Sequence, residues 1–358
     1  MTSSKRGMKM FRPALLITLI TSMAGINAQA SPLFASDEPY KGVLTAPILE
    51  AYGQKKQEDR LYFDGYWSQK NGEETERVSV KIRTRGNYRR RNCTLPPLML
   101  NFKKKEVETT LLEGQDKLKL VSPCKRGEAY QQLIYLEYLV YQLFALYSDY
   151  HFRTRLVEVA YVDTGNKDKR WQTTNFLLED DKAMAERYEL ELKKIPYTMR
   201  VQMDMAQTAI VEVFQYMIGN VDYSTLLSPE GEHCCHNVKL LSSEGADTGI
   251  LPVAYDFDSS GFINAPYATL PANIPIKRIT TRYFNGWCKE DRRYKDAIAL
   301  MISHKEAAVA LFENSPLLNK TYRKRALGYL QSSYDRISDE DSVRKEILEH
   351  CRGDVIKG

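Results

Sequence analysis

The chain has 358 residues, enough for two sub-domains around a cleft. It carries 51 Lys and Arg against 46 Asp and Glu, a formal net charge of +5, but four of those bases and none of the acids fall in the first thirty residues. The remainder therefore carries +1, so the basic balance is no evidence for a nucleic-acid partner.

Residues 1–30 read as a cleaved export signal. Lys5, Arg6, Lys9 and Arg12 form a basic start, residues 14–26 an apolar stretch too short to span a bilayer, and Ala28-Gln29-Ala30 a small-residue cleavage site. No cysteine lies near the cut to accept a lipid, and no later run approaches ~18 apolar residues. The expectation is an exported protein, periplasmic or extracellular, with no membrane span after cleavage near Ala30. The six cysteines, Cys93, Cys124, Cys234, Cys235, Cys288 and Cys351, then read as disulfides, with fifteen ways of pairing. A Cys93–Cys124 bridge is expected because both fall in one half, leaving four cysteines to staple the other. His233-Cys234-Cys235-His236 suggests zinc, but four consecutive residues cannot all reach one tetrahedral ion.

Residues 31–180 read mostly as strands. Residues 78–84 and 117–121 alternate with period two, and residues 156–162 and 171–178 follow after turn residues such as Thr164, Gly165 and Asn166. One helix interrupts them over residues 128–147, rich in Leu and Tyr. Residues 181–358 read as mainly helical, over 181–194, 203–218, 294–314, 320–333 and 339–351, with a hairpin around residues 237–256. Strands with one helix, then helices, predict an α+β fold of two lobes.

The chemistry concentrates in residues 218–262. Asp222 follows Gly219 and Asn220, which end a helix; its ordinary reading is an Asx turn. Asn237 opens an apolar strand. Asp256 and Asp258 end the next strand, and their spacing of two puts both carboxylates on one side of the backbone. Two carboxylates facing one point repel unless a cation lies between them. Asp, then Asn, then strand-borne Asp suits metal-dependent phosphoryl transfer, in which one carboxylate orients the attacking hydroxyl and an amide and a second carboxylate hold the metal. Such a site also needs a lysine on the phosphates, braced by a helical carboxylate. Glu137 lies in an almost wholly apolar helix, where it needs a partner; Lys119 is the first choice and Lys117 the second. Arg85-Gly86-Asn87 and the arginines that follow read either as a phosphate contact or as a solvated turn. No Walker A sequence and no G-x-G-x-x-G occurs.

Arg85-Gly86-Asn87 after a strand, the strand from Gly114 to Leu120 leading into an apolar helix, Asn220-x-Asp222, Asn237 and Asp256-Phe257-Asp258 together resemble the spore-coat protein H-type (CotH) family of secreted atypical kinases. The resemblance covers about half of the chain, residues 78–262. It implies a protein-kinase-like fold that uses ATP with Mg²⁺ or Mn²⁺. By that resemblance Asp222 would be the catalytic aspartate and Asn237 and Asp256 the metal ligands; to these the residue spacing adds Asp258 as an assisting ligand and Lys119 (or Lys117), Glu137 and Arg85 as the phosphate clamp. The acceptor would be a hydroxyl of a protein or cell-envelope partner. Two rival readings stand beside it: a catalytically inactive binding or envelope-structural module on the same scaffold, and transfer of AMP instead of phosphate.

Overall fold

The computed structural model describes residues 1–2, 31–71, 74–165 and 169–356; the expected export signal lies almost wholly outside them. Seven strands close into a mixed barrel: β1 (Tyr40–Ala46), β2 (Phe63–Asn71), β3 (Glu74–Thr84), β4 (Leu98–Phe102), β5 (Lys117–Val121), β6 (Thr154–Asp163) and β7 (Lys169–Leu178). Their order is β1-β2-β3-β4-β5-β7-β6, and a parallel pairing of β1 with β6, Tyr40 opposite Val157, closes the ring. Alternation explains the interior. Val78, Val80, Ile82 and Thr84 of β3 point inward and are buried, and the residues between them face outward. Trp67 fills the barrel beside Gly42, where a Cβ would stand 2.2 Å from the indole, so β1 can pass the ring only as glycine.

Three short helices decorate the barrel: α1 (Ile48–Gly53), α2 (Tyr88–Asn92) and α3 (Lys104–Val107). The long helix α4 (Glu128–Ala145) leaves β5, and it is apolar on most sides because it is covered on most sides. Its Phe144 meets Phe214 at 4.8 Å between ring centroids, and its Tyr141 meets Phe257 at the same distance. Each such fully buried aromatic ring contributes roughly 1.5–3 kcal/mol. After the barrel come α5 (Asp181–Arg187), the short β8 (Glu191–Leu192), α6 (Met205–Met217), and the hairpin of β9 (Val238–Ser242) and β10 (Leu251–Ala254). Strand β11 (Trp287–Lys289), helices α7 (Asp291–Ser303), α8 (Lys305–Glu313), α9 (Lys320–Ser338) and α10 (Glu340–Val343), and strand β12 (Arg352–Ile356) complete the chain. β12 lies parallel to β11.

The expected two-lobed, protein-kinase-like architecture is corrected here. The strand-rich half is a closed barrel with its own core, instead of an open lobe. Helix α4 does not stand on it as a lone element. A second continuous apolar cluster runs from Val121, Phe176 and Leu178 through α4 to Phe214, Phe312 and Ile347, so besides its interior core the barrel shares a core with the helical half. The helix expected over residues 181–194 ends at Arg187, because Glu189 turns left-handed at φ +57° and Glu191–Leu192 instead extends the β9–β10 sheet.

All six cysteines lie at disulfide distance from a partner: Cys93 with Cys124 as expected, Cys234 with Cys235, and Cys288 with Cys351. These pairs fit an exported protein. Among the described residues no helix is long and apolar enough to cross a membrane.

Candidate functional site

A cleft of about 430 Å³ opens between the turn that follows β3, the middle of α4 and the loops around the β9–β10 hairpin. Asp222, Asn237, Asp256, Asp258, Glu137 and Arg85 all line it. Side chains from five separate stretches of chain therefore meet at one place.

Local structure explains how each arrives. Helix α6 ends where Gly219 takes φ +63°, and a Cβ there would fall 2.1 Å from the Tyr329 hydroxyl. The next residue, Asn220, is fully buried; its Nδ2 donates to Gln215 Oε1 at 2.9 Å and its Oδ1 accepts from the Asp222 N–H at 3.0 Å. The Asx turn is thus made by Asn220, and its effect is to aim Asp222 into the cleft. Asn237 Nδ2 donates to the Asp222 carbonyl at 2.7 Å and to Oδ2 at 3.2 Å, which leaves the Asn237 amide oxygen as its free donor atom. Asn237 and Asp256 both adopt the left-handed region, at φ +52° and +60°, a conformation that Asn and Asp tolerate and that clusters at functional positions. The Asp256 N–H is held by the Tyr141 hydroxyl of α4 at 2.9 Å.

Behind these groups lies a buried charge cluster. Arg89, delivered by α2, donates from Nη1 to Glu137 at 3.0 Å and from Nη2 to the Ser122 carbonyl at 2.6 Å; Asp258 stands 3.6 Å away. One guanidinium therefore faces three carboxylates, those of Glu137, Asp256 and Asp258. Burial first, then repulsion from Asp256, raises the Asp258 carboxyl to about 6. Burial, partly offset by Arg89, also raises Glu137, with Asp258 and Asp256 adding to it. With all three ionised the cluster is two charges negative, the deficit that one divalent cation removes.

Three placements differ from expectation. Glu137 pairs with Arg89 and not with Lys119, because the segment after Gly86 turns into helix α2 and buries its second residue. Lys119 is buried and bonds Asp181 at the start of α5, where the helix end favours that carboxylate. Lys117 is exposed on the end of β5. Neither lysine lines the cleft; Arg85 does, together with Lys239. Lys239 sits 3.3 Å from Asp181 and over the Tyr255 ring. Lys239 is the second residue of β9.

His236 was also missed. Its Nε2 lies 2.7 Å from Asp222 Oδ1, and that hydrogen bond raises the imidazole above its ordinary value. The zinc reading drew attention to residues 233–236 as a set, whereas Cys234 and Cys235 pair with each other and His236 turns to Asp222. At the cleft mouth Asn87 Nδ2 donates to Glu232 at 2.8 Å, joining its two walls.

No family model and no curated protein matches this chain.

The donor set fits a hard divalent cation. Two carboxylates and an amide oxygen are the ligands that Mg²⁺ and Mn²⁺ take. Among the described residues no three His, Cys, Asp or Glu side chains could hold a metal by themselves. The set instead suits an ion that arrives with phosphate oxygens and water completing its shell, as Mg²⁺ commonly does.

Proposed function

We propose that this protein is an exported, metal-dependent phosphotransferase that moves the γ-phosphate of ATP to a hydroxyl of a protein or cell-envelope acceptor. The carrying observation is the convergence of Asp222, Asn237, Asp256 and Asp258 on one cleft beside Arg89. The same motifs carry the resemblance to spore-coat protein H-type kinases, so the proposal includes a common chemistry without a protein-kinase-like fold.

Asp222 is the residue placed to orient the acceptor hydroxyl and take its proton. His236 and Asn237 hold the Asp222 carboxylate from two sides, so it cannot swing away from an incoming O–H. Asp256, Asp258 and the Asn237 amide oxygen would hold Mg²⁺ or Mn²⁺. Such an ion, when bound, neutralises charge on the phosphates as the bond to the leaving ADP oxygen breaks. Arg85 and Lys239 contribute fixed positive charge in the same cleft. In balance, the acceptor oxygen forms a bond to the γ-phosphorus, the bond from that phosphorus to the bridging oxygen breaks with its electron pair leaving on ADP, and the hydroxyl proton passes to Asp222.

The test is the melting temperature of the oxidised protein with and without ATP and Mg²⁺ or Mn²⁺, beside Asp256→Ala. A ligand bound only by the folded state, at a hundredfold excess over its Kd, adds about 2.7 kcal/mol. The expected result is a shift that needs both nucleotide and metal and vanishes in Asp256→Ala. No shift with any nucleotide or metal sinks the reading and leaves a binding module. Product mass separates phosphate from AMP transfer.

A further inference from the structure

Asp222 and His236 have a second face. Besides lining the cleft they line a second pocket of about 330 Å³, walled by Ser224, Ser228, Asn273, Asn285 and Arg352. That volume lies at the lower end of the ~300–1,000 Å³ range of ligand pockets.

Two features of this pocket call for a ligand. Asn285 is only 7 % exposed, yet its side-chain carbonyl oxygen has no hydrogen-bond partner. A buried acceptor left unpaired is destabilising, and a bound N–H or O–H removes that cost. Arg352 makes no ion pair among the described residues; its guanidinium lies over the Trp287 ring, 4.0 Å from the centroid, with Nε buried and unbonded. A rigidly stacked, unpaired guanidinium is suited to a carboxylate. The pocket also continues outward. Leu227, on its wall, pairs with Tyr197, and Leu227, Tyr197, Met199 and Val201 are each more than half exposed. Such an apolar strip suits an extended polypeptide more than a sugar polymer.

Resting on the phosphotransferase reading, we propose that this pocket is the acceptor site and that the acceptor is a polypeptide presenting a serine or threonine beside an acidic residue. The hydroxyl meets Asp222, the acidic side chain meets Arg352, a backbone N–H meets Asn285, and the chain leaves over Leu227 and Tyr197. Asp222 and His236 line both pockets, so an acceptor hydroxyl held here stands beside the carboxylate that takes its proton.

The test is fluorescence anisotropy with two labelled peptides, one with serine flanked by aspartates and one with serine flanked by lysines, without nucleotide. The wild-type protein should bind the acidic peptide about tenfold more tightly, the factor that one charge pair of about 1.4 kcal/mol gives. Arg352→Gln, which removes the charge, should erase the preference, and Arg352→Glu should invert it. Melting temperatures of both variants check that they fold. Equal binding of the two peptides, or a preference unchanged in Arg352→Gln, overturns the proposal. If the Arg352-dependent preference appears but no nucleotide shift does, the acidic-peptide pocket stands and phosphoryl transfer falls. A nucleotide shift without the preference does the reverse.

Discussion

Arg89 shows what a single side chain can hide. In the sequence it is one of three consecutive arginines after a glycine, a pattern whose ordinary meaning is a solvated turn. In the structure it is buried and is the cation that Glu137 needs. The need was legible, since a carboxylate in an apolar helix must be paired; the partner was not, because nothing local distinguishes Arg89 from Arg91. Asp222, Asn237, Asp256 and Asp258 were legible because their spacing relative to helix end and strand end fixes where they point. The cluster also sets a pH dependence. Asp258 and Glu137 have folded-state values above those of free carboxyls, to about 6 and about 8. Their stabilising contribution is therefore complete below about pH 4 and is lost as pH rises through those two values. His236, also raised, runs in the same direction. Asp181, held down to about 2 by Lys119 and Lys239 against the effect of burial, runs the other way and matters only as pH falls towards 2. In chelator, the melting temperature should fall between about pH 5 and 8, while the shift given by ATP and Mg²⁺ should grow over the same range as the carboxyls give up their protons. A melting temperature flat across that window would remove the buried-carboxyl account.

At the scale of elements, the periodic segments were read well and the punctuated ones poorly. Strand β5 and helix α4 stand almost where alternation and apolar content place them. Helix α2 was missed because five residues carry too little periodicity, and α5 was drawn too long because the left-handed Glu189 leaves no mark in composition. The turn between α6 and Asp222 is the element on which the site most depends. Gly219→Ala would add a Cβ 2.1 Å from the Tyr329 hydroxyl at a positive φ. A residue forced into that backbone region costs about 1–3 kcal/mol, to which the clash adds. Urea denaturation should show that loss, and Tyr329→Phe in the same chain should recover the part due to the clash. Equal stability of Gly219→Ala and wild type would mean that the turn is not fixed by this glycine.

For the whole molecule, sequence reading placed the strands in one half and most helices in the other but missed how the halves join. Closure of the barrel depends on β1 meeting β6, residues more than a hundred apart, and no local pattern carries that pairing. The shared core follows from α4, whose apolar faces were visible but whose neighbours were not. The cysteines carry a consequence of a different kind. Of fifteen possible connectivities, the one present joins each cysteine to the next in the chain: first to second, third to fourth, fifth to sixth. A chain delivered N-terminus first across a membrane offers its thiols in that same order. An oxidant that links each newly arrived thiol to the one waiting before it therefore produces the native set without any bond being exchanged. Secretion into a compartment with an oxidase but no disulfide isomerase should give as much native protein as one with both, and a yield that depends on the isomerase would show that the bonds form out of order. A yield independent of the isomerase would make the direction of travel itself part of the folding instruction.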